Sequence, residues 1–198
     1  MKNTAGLPAS EILPHWHGIT YQSEKTARTA TRALIESDHL PRSAGGNAQA
    51  LFGPADVTML LLGTCIASVE PIRNIPKLAP IYYSLRDENG YRVGDVIATC
   101  IESVKGTVQA FKNKDATTDT LRTIAALNTR FEIDVNFPRV RMVTEIGDGK
   151  TEEKVFGPVK DRQSTFTRVS NVAIVSGSVL FRLGIGLYFN KWDSDDVI

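Results

Sequence analysis

The sequence predicts an α+β fold, in which a small N-terminal helical region precedes a mixed region of helices and antiparallel hairpins. Apolar residues recur at helical spacing in the N-terminal third and again over residues 93–112. Alternation with a period of two dominates residues 130–146. Asn-Gly at 89–90 and Asp-Gly at 148–149, both typical of tight hairpin turns, fall in the C-terminal part.

Composition indicates a folded protein without a strong global charge. Of the 198 residues, 42% are hydrophobic and 23% are charged, which is enough apolar material for a core. The 23 Lys and Arg residues nearly balance 22 Asp and Glu, so a non-specific DNA-coating protein is disfavoured. Cys65 and Cys100 stand in apolar stretches and are expected as reduced thiols. Without a secretory signal or a long apolar run, we expect a cytoplasmic protein with no membrane partner.

Residues 23–38 predict a helix with a basic face. Ser23 is a favourable N-cap, and Glu24 lies in the first turn, where the helix dipole favours an acid. Lys25, Arg28 and Arg32 recur at spacings of three and four, with Thr29 beside them. This arrangement is common on solvated helices, and it also suits contacts with nucleic acid.

A glycine-containing loop and a second helix follow. Leu40-Pro41 ends the first helix, and residues 42–47 predict a hairpin turn, with residues 49–52 as its returning strand. Gly53-Pro54 begins a strongly apolar helix. The order is therefore helix, hairpin, helix.

This order resembles a known family of DNA-binding domains. The resemblance rests on Thr29-Ala30-Thr31-Arg32, Leu40-Pro41, Arg42, Gly46, Phe52, Asp56-Val57 and Leu60. These residues are similar to the winged helix-turn-helix domain of MerR-type regulators and of small phage and mobile-element proteins, over residues 23–67 only. The resemblance implies that the first helix enters the major groove of double-stranded DNA, where Lys25, Arg28, Thr29 and Arg32 reach bases or phosphates. Arg42 and Asn47, on the wing, would contact the DNA backbone.

The rest of the chain predicts a second domain. MerR-type proteins continue into a long dimerising helix, whereas Pro71, Pro76 and Pro80 favour a linker here. We therefore expect a winged-helix-like domain over 1–70, a linker over 71–80, and an α+β domain over 81–198 for dimerisation or ligand sensing. Its expected elements are a strand at 81–85, a helix at 93–112, a helix or strand at 120–127, strands within 130–146, 152–159 and 166–176, and a helix or two strands at 179–192.

Catalytic and metal-binding motifs receive little support. His15 and His17 lack further ligands nearby, and the turn at residues 147–151 lacks the first glycine of a phosphate-binding loop. Glu132 and Asp134 fit a polar strand face better than an acid/base pair. We expect no cofactor and no metal, and an enzyme has no positive support.

Two functions remain open. The first is a sequence-specific DNA-binding protein of bacterial or phage type, a transcriptional regulator acting as a homo-oligomer. The second is a phage structural or assembly protein whose α+β domain makes subunit contacts.

Overall fold

The computed structural model describes residues 6–43, 49–113, 118–158 and 171–192, and its secondary structure confirms the α+β class. Helices in these ranges are α1 (Ala9–Ile12), α2 (Trp16–Thr20), α3 (Glu24–Glu36), α4 (Pro54–Ala67), α5 (Ile75–Ser84), α6 (Val93–Asn113), α7 (Thr118–Leu127) and α8 (Gly177–Phe189). The strands are β1 (Leu7–Pro8), β2 (Leu51–Phe52), β3 (Thr129–Asp134), β4 (Arg139–Gly147), β5 (Lys150–Phe156) and β6 (Val172–Ser176).

The four longer strands form one antiparallel sheet in the order β5-β4-β3-β6. Phe131 on β3 pairs with Met142 on β4 and with Val175 on β6, and all three side chains point to the helical side. Glu132 points to the opposite, outer face. The predicted Asp-Gly turn joins β4 to β5, and both of its residues have positive φ, 50° at Asp148 and 70° at Gly149.

One hydrophobic core connects the N-terminal helices to the sheet. Helix α4 lies at its centre and is buried on nearly every side. Pro54 occupies the first turn of α4, and the Gly53 amide donates to Asp56 Oδ2 over 2.9 Å, which closes the helix start. The core includes Trp16, Leu34, Leu61, Ile75, Ile97, Phe131, Phe156 and Leu183. No helix in the described part of the chain is long and apolar enough to span a bilayer.

Residues 71–85, expected as a linker followed by a strand, are mostly helical. Residues 71–80 contribute a 3-10 turn at Ile72–Asn74 and most of α5, and the strand expected at 81–85 is the end of the same helix. Pro76 lies in the first turn, where its missing amide hydrogen costs no intrahelical hydrogen bond. Ile75, Ala79 and Tyr82 then fall on one buried face. Tertiary packing of this face outweighs the preference of residues before proline for extended backbone.

The two undecided segments are helices α7 and α8. Glycines lower the intrinsic helix propensity of α8, yet they allow it to pack closely. A Cβ atom at Gly184 would lie 2.6 Å from the Ile101 carbonyl oxygen, so a glycine lets α8 approach α6 closely. The helix buries seven of its 13 residues and closes the core.

Candidate nucleic-acid interface

Helix α3 is positioned by a capped start and a face of small residues. The Ser23 hydroxyl accepts a hydrogen bond from the Thr26 amide over 3.1 Å, which confirms the predicted N-cap. Ala27, Ala30 and Leu34 are fully buried and pack on the core, and α4 is a principal neighbour. The helix is thus fixed by one face only, and its other face lies toward solvent.

The predicted contact residues of α3 share that outer face. At 100° per residue, Lys25, Arg28, Thr29 and Arg32 fall within an arc of about 100°, opposite the buried alanines. Lys25, Arg28 and Arg32 are exposed, and Thr29 is half-buried. From Lys25 to Arg32 the helix rises about 10 Å, at about 1.5 Å per residue. The sequence pattern therefore yields one compact surface, which we call the α3 basic face (Lys25, Arg28, Thr29 and Arg32).

Two members of the α3 basic face have local partners. Arg28 Nε donates to Glu24 Oε1 over 2.7 Å, in an exposed pair one turn apart. Exposed pairs of this kind contribute only about 0.3–0.5 kcal/mol, so an incoming phosphate can replace Glu24 at little cost. Thr29 donates its hydroxyl to the Lys25 carbonyl, and its oxygen remains able to accept. Within the described residues, neither Lys25 nor Arg32 forms an ion pair.

Acidic residues limit the field around α3. Glu36 falls in the same arc as the three cations, and Glu24 flanks it. Three positive charges and two negative charges on the helix leave a local excess of one. Long-range electrostatic attraction between α3 and DNA is therefore weak. Binding would depend on hydrogen bonds and on the fit of the helix within the DNA groove.

Arg42 does not join the α3 basic face. Its Nε donates to the Ile35 carbonyl over 3.0 Å and its Nη2 to the Glu36 carbonyl over 2.8 Å, with Asp38 as an ion-pair partner. The guanidinium thus caps carbonyls at the C-terminal end of α3, where the Ile35 carbonyl also accepts a hydrogen bond from the Asp38 amide. The structure places Arg42 in helix capping, at the end of α3 away from Lys25.

Residues 44–48 of the expected wing hairpin lie outside the described residues, and the strand expected to return from it has another partner. We expected β2 to pair with the residues that precede the glycines. It pairs instead with β1 in antiparallel register, with Leu51 opposite Pro8 and Phe52 opposite Leu7. The N-terminal segment supplies a partner that local turn chemistry does not reveal. Asn47 lies outside the described residues.

A cleft of about 430 Å³ between α6, α7 and the sheet was missed by sequence reasoning. Its lining includes Val96, Cys100, Ser103, Ala126, Met142 and Thr144. Ser103 donates to the Cys100 carbonyl, and Thr144 shares a hydrogen bond with Thr129, so these hydroxyls already have protein partners. Burial raises the pKa of the Cys100 thiol to about 11, so it stays protonated at neutral pH and is a poor nucleophile. The cleft suits an apolar molecule better than covalent catalysis.

One of the two histidines that flank Trp16 has a packing contact. His15 stacks on Trp192 with ring centroids 5.0 Å apart and planes 4° from parallel. In the described part of the chain, no three His, Cys, Asp or Glu side chains gather as a metal site would require.

Comparison with known proteins adds no relative. No family model matches the chain, and neither the curated proteins nor the solved structures include a significant match.

Proposed function

We propose that this protein binds double-stranded DNA as a homo-oligomer, with α3 in the major groove and the α3 basic face toward the bases and phosphates. The observation that carries the proposal is that Lys25, Arg28 and Arg32 lie together on the exposed side of a well-anchored helix. A major groove about 12 Å wide accepts a helix, and arginines supply bidentate donors to guanine or phosphate. Regulation of transcription is the role expected from the winged-helix resemblance.

The orientation of the contact residues supports this assignment further. The outer face of α3 makes no contribution to the core, so its side chains are available to a partner without unfolding the helix. Thr29 adds a hydroxyl acceptor between the cations. Arg42 and the β2 strand serve the protein's own structure, which reduces the proposed interface to one helix face.

Binding to genomic DNA fragments, measured by gel shift, tests the proposal. Replacing Arg28→Ala together with Arg32→Ala removes two cations from the α3 basic face and is expected to weaken binding at least about tenfold. The slope of log affinity against log salt concentration should become shallower by about two, since each phosphate contact contributes about 0.9.

A matched control removes the same charge elsewhere. Lys150→Ala with Lys154→Ala takes two exposed cations from β5, far along the chain from α3, and should leave binding nearly unchanged. Equal losses in both double variants would mean that only net charge matters, and unchanged binding after the α3 substitutions would refute the assignment. The assembly alternative would instead give large rings or polymers without DNA, measured by light scattering on the same samples.

A further inference from the structure

The cleft between α6, α7 and the sheet, which we call the α6–α7 cleft, has the size and the access of a small-molecule site. Its volume of about 430 Å³ lies within the range of about 300–1,000 Å³ that is usual for ligand pockets. Tyr91, Thr99 and Ala125 line it and are exposed, so its mouth is open among the described residues. A molecule can therefore enter from solvent without unfolding either helix.

The wall of the α6–α7 cleft is mostly apolar and has no free charge. Its apolar part combines side chains from both helices and from β4: Val96, Cys100, Ala126 and Met142. Among the described residues that line the cleft there is no lysine, arginine or histidine. The carboxylate of Asp95 accepts two hydrogen bonds from Arg92 and one from Tyr83, so its charge is compensated. The wall therefore offers no cation to an anionic ligand, and burying a carboxylate or phosphate there would be costly.

Thr144, on the side of β4 that faces the helices, offers the cleft a hydrogen-bond acceptor. Its neighbour in the sheet, Thr129, donates its only hydroxyl hydrogen to the Ala125 carbonyl over 2.8 Å. Thr144 must therefore be the donor in the 2.9 Å contact between the two hydroxyls. Within the described residues, no donor reaches the Thr144 hydroxyl oxygen. Its lone pairs remain for a ligand.

The other aliphatic hydroxyls of the wall have the same polarity. Thr99 donates its hydrogen to the Asp95 carbonyl over 2.8 Å. Ser103 donates to the Cys100 carbonyl over 2.9 Å. The phenol of Tyr91 lies at the mouth, where the residue is 66% exposed and water is available to it. Inside the cleft, the hydroxyls therefore present oxygens without hydrogens, which selects a ligand that donates a hydrogen bond.

We propose that the α6–α7 cleft binds an uncharged, mostly apolar molecule that carries a hydroxyl or amide hydrogen, and that this hydrogen is donated to Thr144 Oγ1. The apolar body of the ligand packs against Val96, Cys100 and Met142. An anion of the same shape is rejected for want of a cation in the wall. No residue of the α3 basic face lines this cleft, so the proposal goes beyond DNA binding and does not depend on it.

Three probes that share one ring system test the chemistry of the ligand. At neutral pH, 2-naphthol is an uncharged donor, 2-methoxynaphthalene has no donor, and 2-naphthoate is an anion. In fluorescence titrations of the full chain, 2-naphthol should bind saturably at one site. The methyl ether should bind about three- to tenfold more weakly, as expected for the loss of one hydrogen bond. The anion should bind at least about tenfold more weakly than 2-naphthol.

A substitution at the acceptor tests its role. Thr144→Val removes the hydroxyl with little change of shape, and it should weaken 2-naphthol about three- to tenfold without changing the affinity of the methyl ether. Thr151→Val, at an exposed threonine of β5 outside the cleft, is the matched control and should change neither affinity. The thermal midpoint shows whether each variant is folded. If Thr144→Val does not fold, the comparison of the three probes on the unaltered chain still decides.

Alkylation by iodoacetamide, followed by mass spectrometry, tests where the probe binds. Cys100 lines the cleft, whereas Cys65 does not line it and serves as the internal reference. At about ten times its Kd, 2-naphthol should slow the alkylation of Cys100 about tenfold, because only the unoccupied fraction reacts. The rate at Cys65 should not change.

Four results would overturn the proposal of a donor-selective cleft. They are a lack of saturable 2-naphthol binding, equal affinities for the three probes, equal losses for 2-naphthol and its methyl ether in Thr144→Val, and no selective protection of Cys100. Since none of these measurements uses DNA, their failure leaves the proposed function standing. A failed gel shift likewise leaves the cleft proposal standing.

Discussion

Helices α3 and α8 are both 13 residues long, yet they use their surfaces in opposite ways. Helix α8 buries seven residues, three of them glycines, and its place in the core depends on close backbone approach. Helix α3 buries four residues on one side and leaves a charged face outside. Substitutions in α8 therefore report packing, whereas α3 allows stability and function to be changed separately.

The largest effect is expected on the buried side of α3. Leu34→Ala should lower the free energy of unfolding by about 3 kcal/mol, because a fully buried leucine is lost and a cavity remains. Urea denaturation measures the change. Leu127→Ala, at a leucine that is 42% exposed, should cost far less. A similar loss at both positions would show that α3 is not anchored by this face.

A single methyl group tests the close approach of α8. Gly184→Ala should destabilise the protein by about 2 kcal/mol, since the added Cβ would meet the Ile101 carbonyl and Val104. The thermal midpoint reports the loss. Gly18→Ala in α2 is the matched control, because nothing lies within 4 Å of its Cβ position, and it should be neutral or stabilising.

Substitutions at the N-caps of α3 and α8 should differ in their effect on stability by a smaller amount. Ser23→Ala removes the hydrogen bond to the Thr26 amide and should cost about 1 kcal/mol. Ser176 precedes α8 but makes no side-chain capping bond. Ser176→Ala should therefore change the urea midpoint by less, and a reversed order would contradict this account of α3.

The smallest change in stability is expected at Arg42. Arg42→Ala removes two hydrogen bonds to the last carbonyls of α3 and should cost about 0.5–1 kcal/mol. Arg42→Lys retains the charge but not the forked geometry and should restore only part of the loss. Since Arg42 is assigned to capping, DNA affinity in gel shifts should change much less than in the Arg28/Arg32 variant. A loss of affinity without a loss of stability would return Arg42 to the interface.

Local patterns predicted much of the candidate site because they act within a few residues. The Ser23 cap and the spacing of Lys25, Arg28 and Arg32 identify α3 and its outer face directly. The same patterns do not reveal that the guanidinium of Arg42 turns back to α3, because a helix-ending proline and a glycine-rich loop say nothing about that contact. Local patterns also failed to predict the pairing of β2, because its partner strand lies more than 40 residues earlier in the chain.

The sequence alone specifies the α+β class, the starts of α3 and α4, the extent of α6, and the hairpin between β4 and β5. Caps, turn residues and hydrophobic periodicity are local, and they favour the same structure in any context. Tertiary packing establishes that residues 72–84 are helical and that α8 is a helix. These depend on distant contacts, such as the 2.6 Å hydrogen bond from the Tyr82 hydroxyl to the Asp134 carbonyl and the contact of Gly184 with α6. Proline and glycine lower the local preference for a helix in these segments. The packing energy summed over such contacts exceeds that loss.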